Sequence, residues 1–321
     1  MRPGSRNRAL AVVLSLAAAF LWATYYLFVL GVGPGTRASA LLFYPFLGGA
    51  VGFGAWALAR GEARSTARLF LEPSAYLRVG LMLAMQTSVL AATFLTGPVD
   101  ASLLSLLGDV VLTPLVVAAL VAAHRPELRA PAFVLGLLLS LAGGTLAILG
   151  GRPPSSVHGV GWTVVAVVPV AVAFFFVLSA RAARDRPVDA VLAQVMLGAA
   201  LGALGLAPLL PGGLGAIIDA RPLPLVLLLV NGLLSFFLAQ ICYFGAIART
   251  GLVLPPMLMT GIPVFTLLLS DAVLGLAPAA LALLGVPVAV VGGILALSAG
   301  GGGRGGEGGS TGRPGPVSSS R

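Results

Sequence analysis

A chain of 321 residues that is 58% hydrophobic and only 9% charged, with a mean hydropathy of +1.05, has too little polar surface to cover a water-soluble globule and reads as a membrane protein. Its formal net charge of +9 comes from arginine alone among the basic residues, scattered over separate short segments rather than one basic patch, which argues against nucleic acid as a partner. The single Cys242 excludes an internal disulfide framework, and no cluster of metal-ligating residues stands out, so neither a metal nor another cofactor is expected.

Ten apolar segments follow in chain order, at 9–31, 38–59, 76–97, 101–123, 131–150, 159–182, 188–209, 223–246, 253–275 and 278–298. Each holds about 20 residues, the length at which a helix rising 1.5 Å per residue crosses a hydrocarbon core. Only helices satisfy their own backbone at that depth, so the internal prolines Pro45, Pro114, Pro169, Pro263 and Pro287 read as kinks rather than breaks. Alternate connections are rich in arginine. The N-terminus, the even-numbered loops and the tail carry 16 arginines, Arg78 among them, against Arg37, Arg152 and Arg221 on the other side. The positive-inside rule then places both termini in the cytoplasm, as an even number of spans requires. Residues 300–321, mostly Gly, Ser, Pro and Arg, can bury nothing and read as a disordered cytoplasmic tail.

The chain repeats itself. Shifted by 149 residues without a gap, Pro114 falls on Pro263, Leu120 on Leu269, Gly136 on Gly285 and Gly143-Gly144 on Gly292-Gly293. The predicted fold is therefore all-α and membrane-embedded, with a first repeat over residues 1–150 and a second over 151–299. Five spans per copy is an odd number, so the second copy starts from the opposite face of the membrane and the repeats are inverted. Inverted repeats related by an axis in the membrane plane are the basis of alternating access.

The run Pro114, Glu127, Gly136 and Gly143-Gly144 resembles the EamA repeat of the drug/metabolite transporter superfamily, over essentially residues 9–298, and Leu21-Trp22-Ala23 is similar to the aromatic-small pair of that family's first span. The second copy carries Leu276 where the first has Glu127. The resemblance implies a ten-helix carrier that exports or exchanges amino acids, metabolites or drugs, with a central cavity formed by spans 1, 3, 4, 6, 8 and 9.

Helical spacing singles out candidate solute contacts independently of that likeness. In the fourth segment Ser105, Asp109 and Thr113 recur every four residues as one polar stripe. An ionised Asp at mid-bilayer costs about 2.5–3.5 kcal/mol on insertion scales, so Asp109 needs water, a cation or a proton, and reads either as a solute or coupling-proton site or as a protonated packing contact. Gln86 and its repeat equivalent Ser235 face alike, with Asn231 one turn before Ser235. Gln240 lies nine residues from Asn231, half a turn away on a regular helix, so Asn231 ranks above it. Each lone amide reads equally as an interhelical hydrogen bond. Trp22 and Tyr26 share a face of the first span and offer aromatic walls for an apolar or cationic moiety, although such residues also mark membrane interfaces. Gly48, Gly49, Gly52 and Gly54, with the paired glycines, read as close-packing helix faces that also fit a homodimer.

No arginine lies deep in a span, which disfavours phosphorylated solutes, and no Gly-x-x-x-x-Gly-Lys loop binds nucleotide. With no buried nucleophile and base, an enzyme is not expected. The sequence thus predicts an inner-membrane secondary carrier that exports a small metabolite, amino acid or drug-like solute. A flippase of lipid-linked sugar or another amphiphile on the same fold is the alternative.

Overall fold

The computed structural model describes residues 3–32, 36–96, 130–150, 160–219, 221–251, 254–259, 261–275 and 280–299. Among these the chain is almost entirely helical, with short turns between helices and no strand. The long helices are α1 (Pro3–Gly31), α2 (Ala38–Ala59), α3 (Pro73–Thr96), α4 (Pro131–Gly150), α5 (Val160–Ala182), α6 (Val188–Leu206), α7 (Pro222–Thr250), α8 (Gly261–Leu274) and α9 (Ala280–Ala299). They fall on every predicted segment except the fourth, 101–123, which lies outside the described residues. Four stretches, Asn7–Val29, Ala38–Ala59, Val188–Leu209 and Pro222–Thr250, are long and apolar enough to cross a membrane. Their outward faces are themselves apolar, with Val51, Leu58, Leu201 and Leu223 more than half exposed.

Helices run on through Pro45 in α2 and Pro287 in α9. Pro263 behaves differently from the predicted kink. A short helix, Leu254–Leu258, precedes α8, and Pro263 sits in the first turn of α8, where its missing N–H breaks no ladder bond. Pro114, the other predicted kink, lies outside the described residues.

Packing is organised in pairs. α4 lies against α9, α2 against α6, α3 against α5 and α1 against α7. A shift of 149 residues exchanges α4 with α9 and α2 with α6, and converts the α3–α5 pair into the α7–α1 pair. The most extensive seam is α4–α9. A Cβ on Gly143 would run into Gly285 O and Ala289 N, and one on Gly292 into Gly136 O and Ser140 N, so only glycine lets the two backbones meet. These contacts climb α4 while they descend α9, so the two helices are antiparallel. A second backbone-to-backbone approach joins Gly48 of α2 to Gly232 of α7: side chains there would strike Leu229 O and Pro45 O.

Two polar clusters tie helix ends together. Asp189 at the start of α6 accepts from Trp56 Nε1 at 2.7 Å and pairs with Arg60 at 2.8 Å, whose guanidinium sits 4.9 Å from the Trp56 ring centre. At the opposite end of α2, Ser39 donates to Gly213 O at 2.9 Å and Tyr44 to Ile217 O. The sequence places Arg78 in a loop, but the residue is 1% exposed, five residues into α3, donating to Ser74 Oγ at 3.1 Å and Gln194 Oε1 at 3.3 Å. Its long stem lies along the α3–α6 contact and the head takes polar partners near the helix end.

Candidate functional site

Three polar residues of the helix interiors, Gln86, Ser235 and Gln240, line one cavity. Its walls come from α1 (Trp22, Tyr25, Tyr26), α3 (Met85, Gln86, Val89), α5 (Val168, Val172, Phe176), α7 (Ser235, Phe236, Gln240, Tyr243) and the entry to α8 (Pro256, Met259, Ile262). The cavity volume is about 80 Å³, room for a handful of water-sized groups. Among the predicted site residues, Trp22, Tyr26, Gln86 and Ser235 are thus brought together. Asn231 is fully buried one turn behind Ser235. Asp109, Thr113 and Ser105 lie outside the described residues.

The ranking of Asn231 over Gln240 is reversed at the cavity wall, for a reason that lies in α7 itself. Residues Gly232–Leu238 form a π-helical stretch between the α-helical Pro222–Asn231 and Ala239–Thr250. A π turn closes i→i+5 bonds, so each residue advances less than the roughly 100° of a regular helix. The half-turn separation computed for a regular helix therefore does not hold across this stretch, and Gln240 comes round to the cavity.

The π stretch also explains how α1 docks. Its altered ladder leaves the Ser235 carbonyl able to accept from Trp22 Nε1 at 2.8 Å, while Ser235 Oγ lies 3.0 Å from Leu21 O and 2.8 Å from Asn231 Oδ1. A hydroxyl carries one proton, so Ser235 donates to one of these oxygens at a time. α1 and α7 are thereby joined in both directions across the middle of the bundle. π-helical turns are frequent where a helix carries function.

Chemically the cavity combines aromatic faces with amide groups. Tyr243 stands between Trp22 and Phe176, with ring centres 5.1 and 4.5 Å away, and Tyr25 meets Tyr26 and Phe236 at 5.8 Å each. Gln86 Oε1 and Gln240 Oε1 are buried and make no hydrogen bond among the described residues. Unpaired buried acceptors cost about 1–3 kcal/mol each and call for an explanation. Here they supply two acceptors beside a ring-lined space that no charged side chain among the described residues lines. Sequence reasoning missed Phe176 and Met259, which carry no polar signal, and Tyr243, which nothing in its helical spacing set apart from the other aromatic residues.

No protein-family profile and no curated protein matches the chain. Among solved structures, a crystal structure of a protein whose description names no function aligns with a TM-score of 0.68, at 22% identity, covering 91% of this chain and 98% of that one. At that identity the likeness concerns the fold alone.

Proposed function

We propose that this protein is a secondary-active carrier built from ten membrane helices in two inverted five-helix repeats with cytoplasmic termini, exporting a small neutral, zwitterionic or cationic metabolite, amino acid or drug-like solute across the cell inner membrane. The observation that carries this reading is the central cavity, whose walls come, apart from the entry to α8, from two helix pairs, α3–α5 and α7–α1, that exchange under the sequence repeat. Each pair joins one helix from each half. Exchanging the conformations of the halves would tilt one pair toward the geometry of the other and expose the cavity alternately to the two sides. The EamA-like skeleton, the arginine asymmetry and the antiparallel α4–α9 seam agree with that arrangement.

In this mechanism Asp109 supplies the negative partner of a cationic group or the coupling-proton site. Gln86 and Ser235 orient the solute by hydrogen bonds, with Thr113, Ser105 and Asn231 in support, and Trp22 and Tyr26 wall it. The test is a thermal-shift screen of purified protein against amino acids, amines, drugs and sugars at two pH values, since a ligand of the folded state raises the melting temperature by mass action. A hit whose shift vanishes in Asp109→Asn, with flux in proteoliposomes lost while the protein stays folded, is the expected result. Flux unchanged in Asp109→Asn removes that residue from the mechanism, and a screen positive only for lipid-linked sugars replaces the carrier by a flippase.

A further inference from the structure

Gln240 reaches the central cavity from a helix that is not wound evenly. In a regular helix the carbonyl of Ser235 accepts from the N–H of Ala239, four residues on. Here the N–H of Ala239 bonds Leu234 O instead, and the indole of Trp22 supplies a donor to Ser235 O at 2.8 Å. The Trp22 ring also lies 5.1 Å from that of Tyr243, beyond the π stretch. One side chain of α1 thus grips α7 both within the stretch and past it.

Ordinary winding would undo this arrangement. Ahead of the stretch α7 is fixed, because the backbone at Gly232 lies against Pro45 O and Gly48 of α2. Each π residue advances less than an α residue, so rewinding Gly232–Leu238 would turn Ala239–Thr250 by on the order of 100°, one residue's advance. Gln240 and Tyr243 would leave the cavity wall, and Ala239, now fully buried, would arrive where Gln240 stands. Ser235 O would regain its Ala239 donor and lose its need of Trp22. The repeat counterpart of α7 shows no such device: α3 is regular α-helix from Pro73 to Thr96, and Gln86 lines the same cavity without one.

We propose that Trp22 is a positioning residue, whose donation to Ser235 O holds α7 in the π register and so places the Gln240 amide on the cavity wall for the solute. Asn231 serves Ser235 instead, whose Oγ lies 2.8 Å from Asn231 Oδ1. The use of Gln240 by a solute rests on the carrier reading. The register does not.

The test maps cysteines on the full chain in detergent, in a Cys242→Ala background, with 2-aminoethyl methanethiosulfonate as the thiol reagent. Gln240→Cys and Ala239→Cys are introduced singly, and beside Trp22 the first should react and the second lag behind it. Trp22→Phe, which keeps a ring but no donor, should lower the ratio of the two rates about fivefold or more, the equivalent of one net hydrogen bond. Deleting Leu233 from that variant should restore the ratio, since a regular helix one residue shorter keeps position 240 in the phase that the π stretch gave it. General damage to the fold would not be repaired in this way. The proposal is overturned if Gln240→Cys fails to react beside Trp22, if Trp22→Phe leaves the ratio unchanged, or if the deletion leaves it low in a protein that still melts cooperatively. Labelling needs no transport, so the expected map in a chain without flux in proteoliposomes fails the carrier and keeps the register, while flux with an unchanged map fails the register alone.

Discussion

Ser140 Oγ donates a 2.9 Å hydrogen bond to the carbonyl of Ala289, a residue 149 positions away. That separation is the offset at which the two halves of the sequence superpose, so the bond joins a residue to its own repeat equivalent. Around it the contacts of Gly143 with Gly285 and Ala289 mirror those of Gly292 with Gly136 and Ser140. A local two-fold axis therefore passes through the Ser140–Ala289 contact. Because α4 and α9 are antiparallel, that axis lies across the helices rather than along them.

Close backbone approach, more than the hydrogen bond, should hold this seam. An interhelical hydrogen bond in a membrane averages about 0.6 kcal/mol, so Ser140→Ala is expected to cost no more than about 1 kcal/mol. Overpacking costs about 1–3 kcal/mol or more where the neighbour is backbone that cannot move aside. Gly143→Leu and Gly292→Leu should therefore lower the melting temperature in detergent well beyond Ser140→Ala, and similarly to each other. The reverse order would show that the seam rests on its polar contact.

Trp22 makes a second checkable bond. Trp22→Phe keeps a ring against Tyr243 but removes the donor to Ser235 O, leaving that carbonyl without its α1 partner. About 1 kcal/mol of stability should be lost. If the clasp also sets the width of the cavity, solute affinity should fall by more than the fivefold that this stability loss equals, measured as the ligand-induced thermal shift.

The unpaired amides predict opposite signs for stability and binding. Gln86→Leu or Gln240→Leu removes a buried acceptor that makes no bond among the described residues, so the resting protein should melt at the same temperature or higher. A solute that uses these oxygens should bind at least tenfold more weakly. A fall in melting temperature without ligand would mean that the amides serve packing.

Orientation can be read by cysteine labelling in a Cys242→Ala background. A membrane-impermeant maleimide should reach Arg221→Cys in intact cells and Arg184→Cys only after permeabilisation, since the arginine asymmetry assigns these loops to opposite sides. Labelling of Arg184→Cys in intact cells would invert the topology.

Much of this architecture was legible before any fold was known. Segment positions came from hydropathy, because a chain crossing hydrocarbon must be continuously apolar over about 20 residues and helical throughout. Nine of the ten predicted segments carry helices among the described residues. The glycine pairs marked α4 and α9 as close-packing faces, since only a residue without a Cβ allows such an approach, although not that the two faces meet each other. Polar residues in apolar spans were equally conspicuous, and Trp22, Tyr26, Gln86 and Ser235 do share one cavity.

Other features needed the third dimension. Periodicity assumes a regular helix, so the π stretch over Gly232–Leu238 was invisible and Gln240 was ranked below Asn231, although it is Gln240 that lines the cavity. Phe176 and Met259 are apolar in an apolar chain and Tyr243 is one aromatic among many, and only packing decides which of such residues lines a void. The same holds for Gly54, identical in type to Gly48 yet facing a groove instead of a helix. Helix positions are local consequences of the solvent, read one segment at a time, whereas a cavity is a relation between helices distant in sequence and exists only once they are packed.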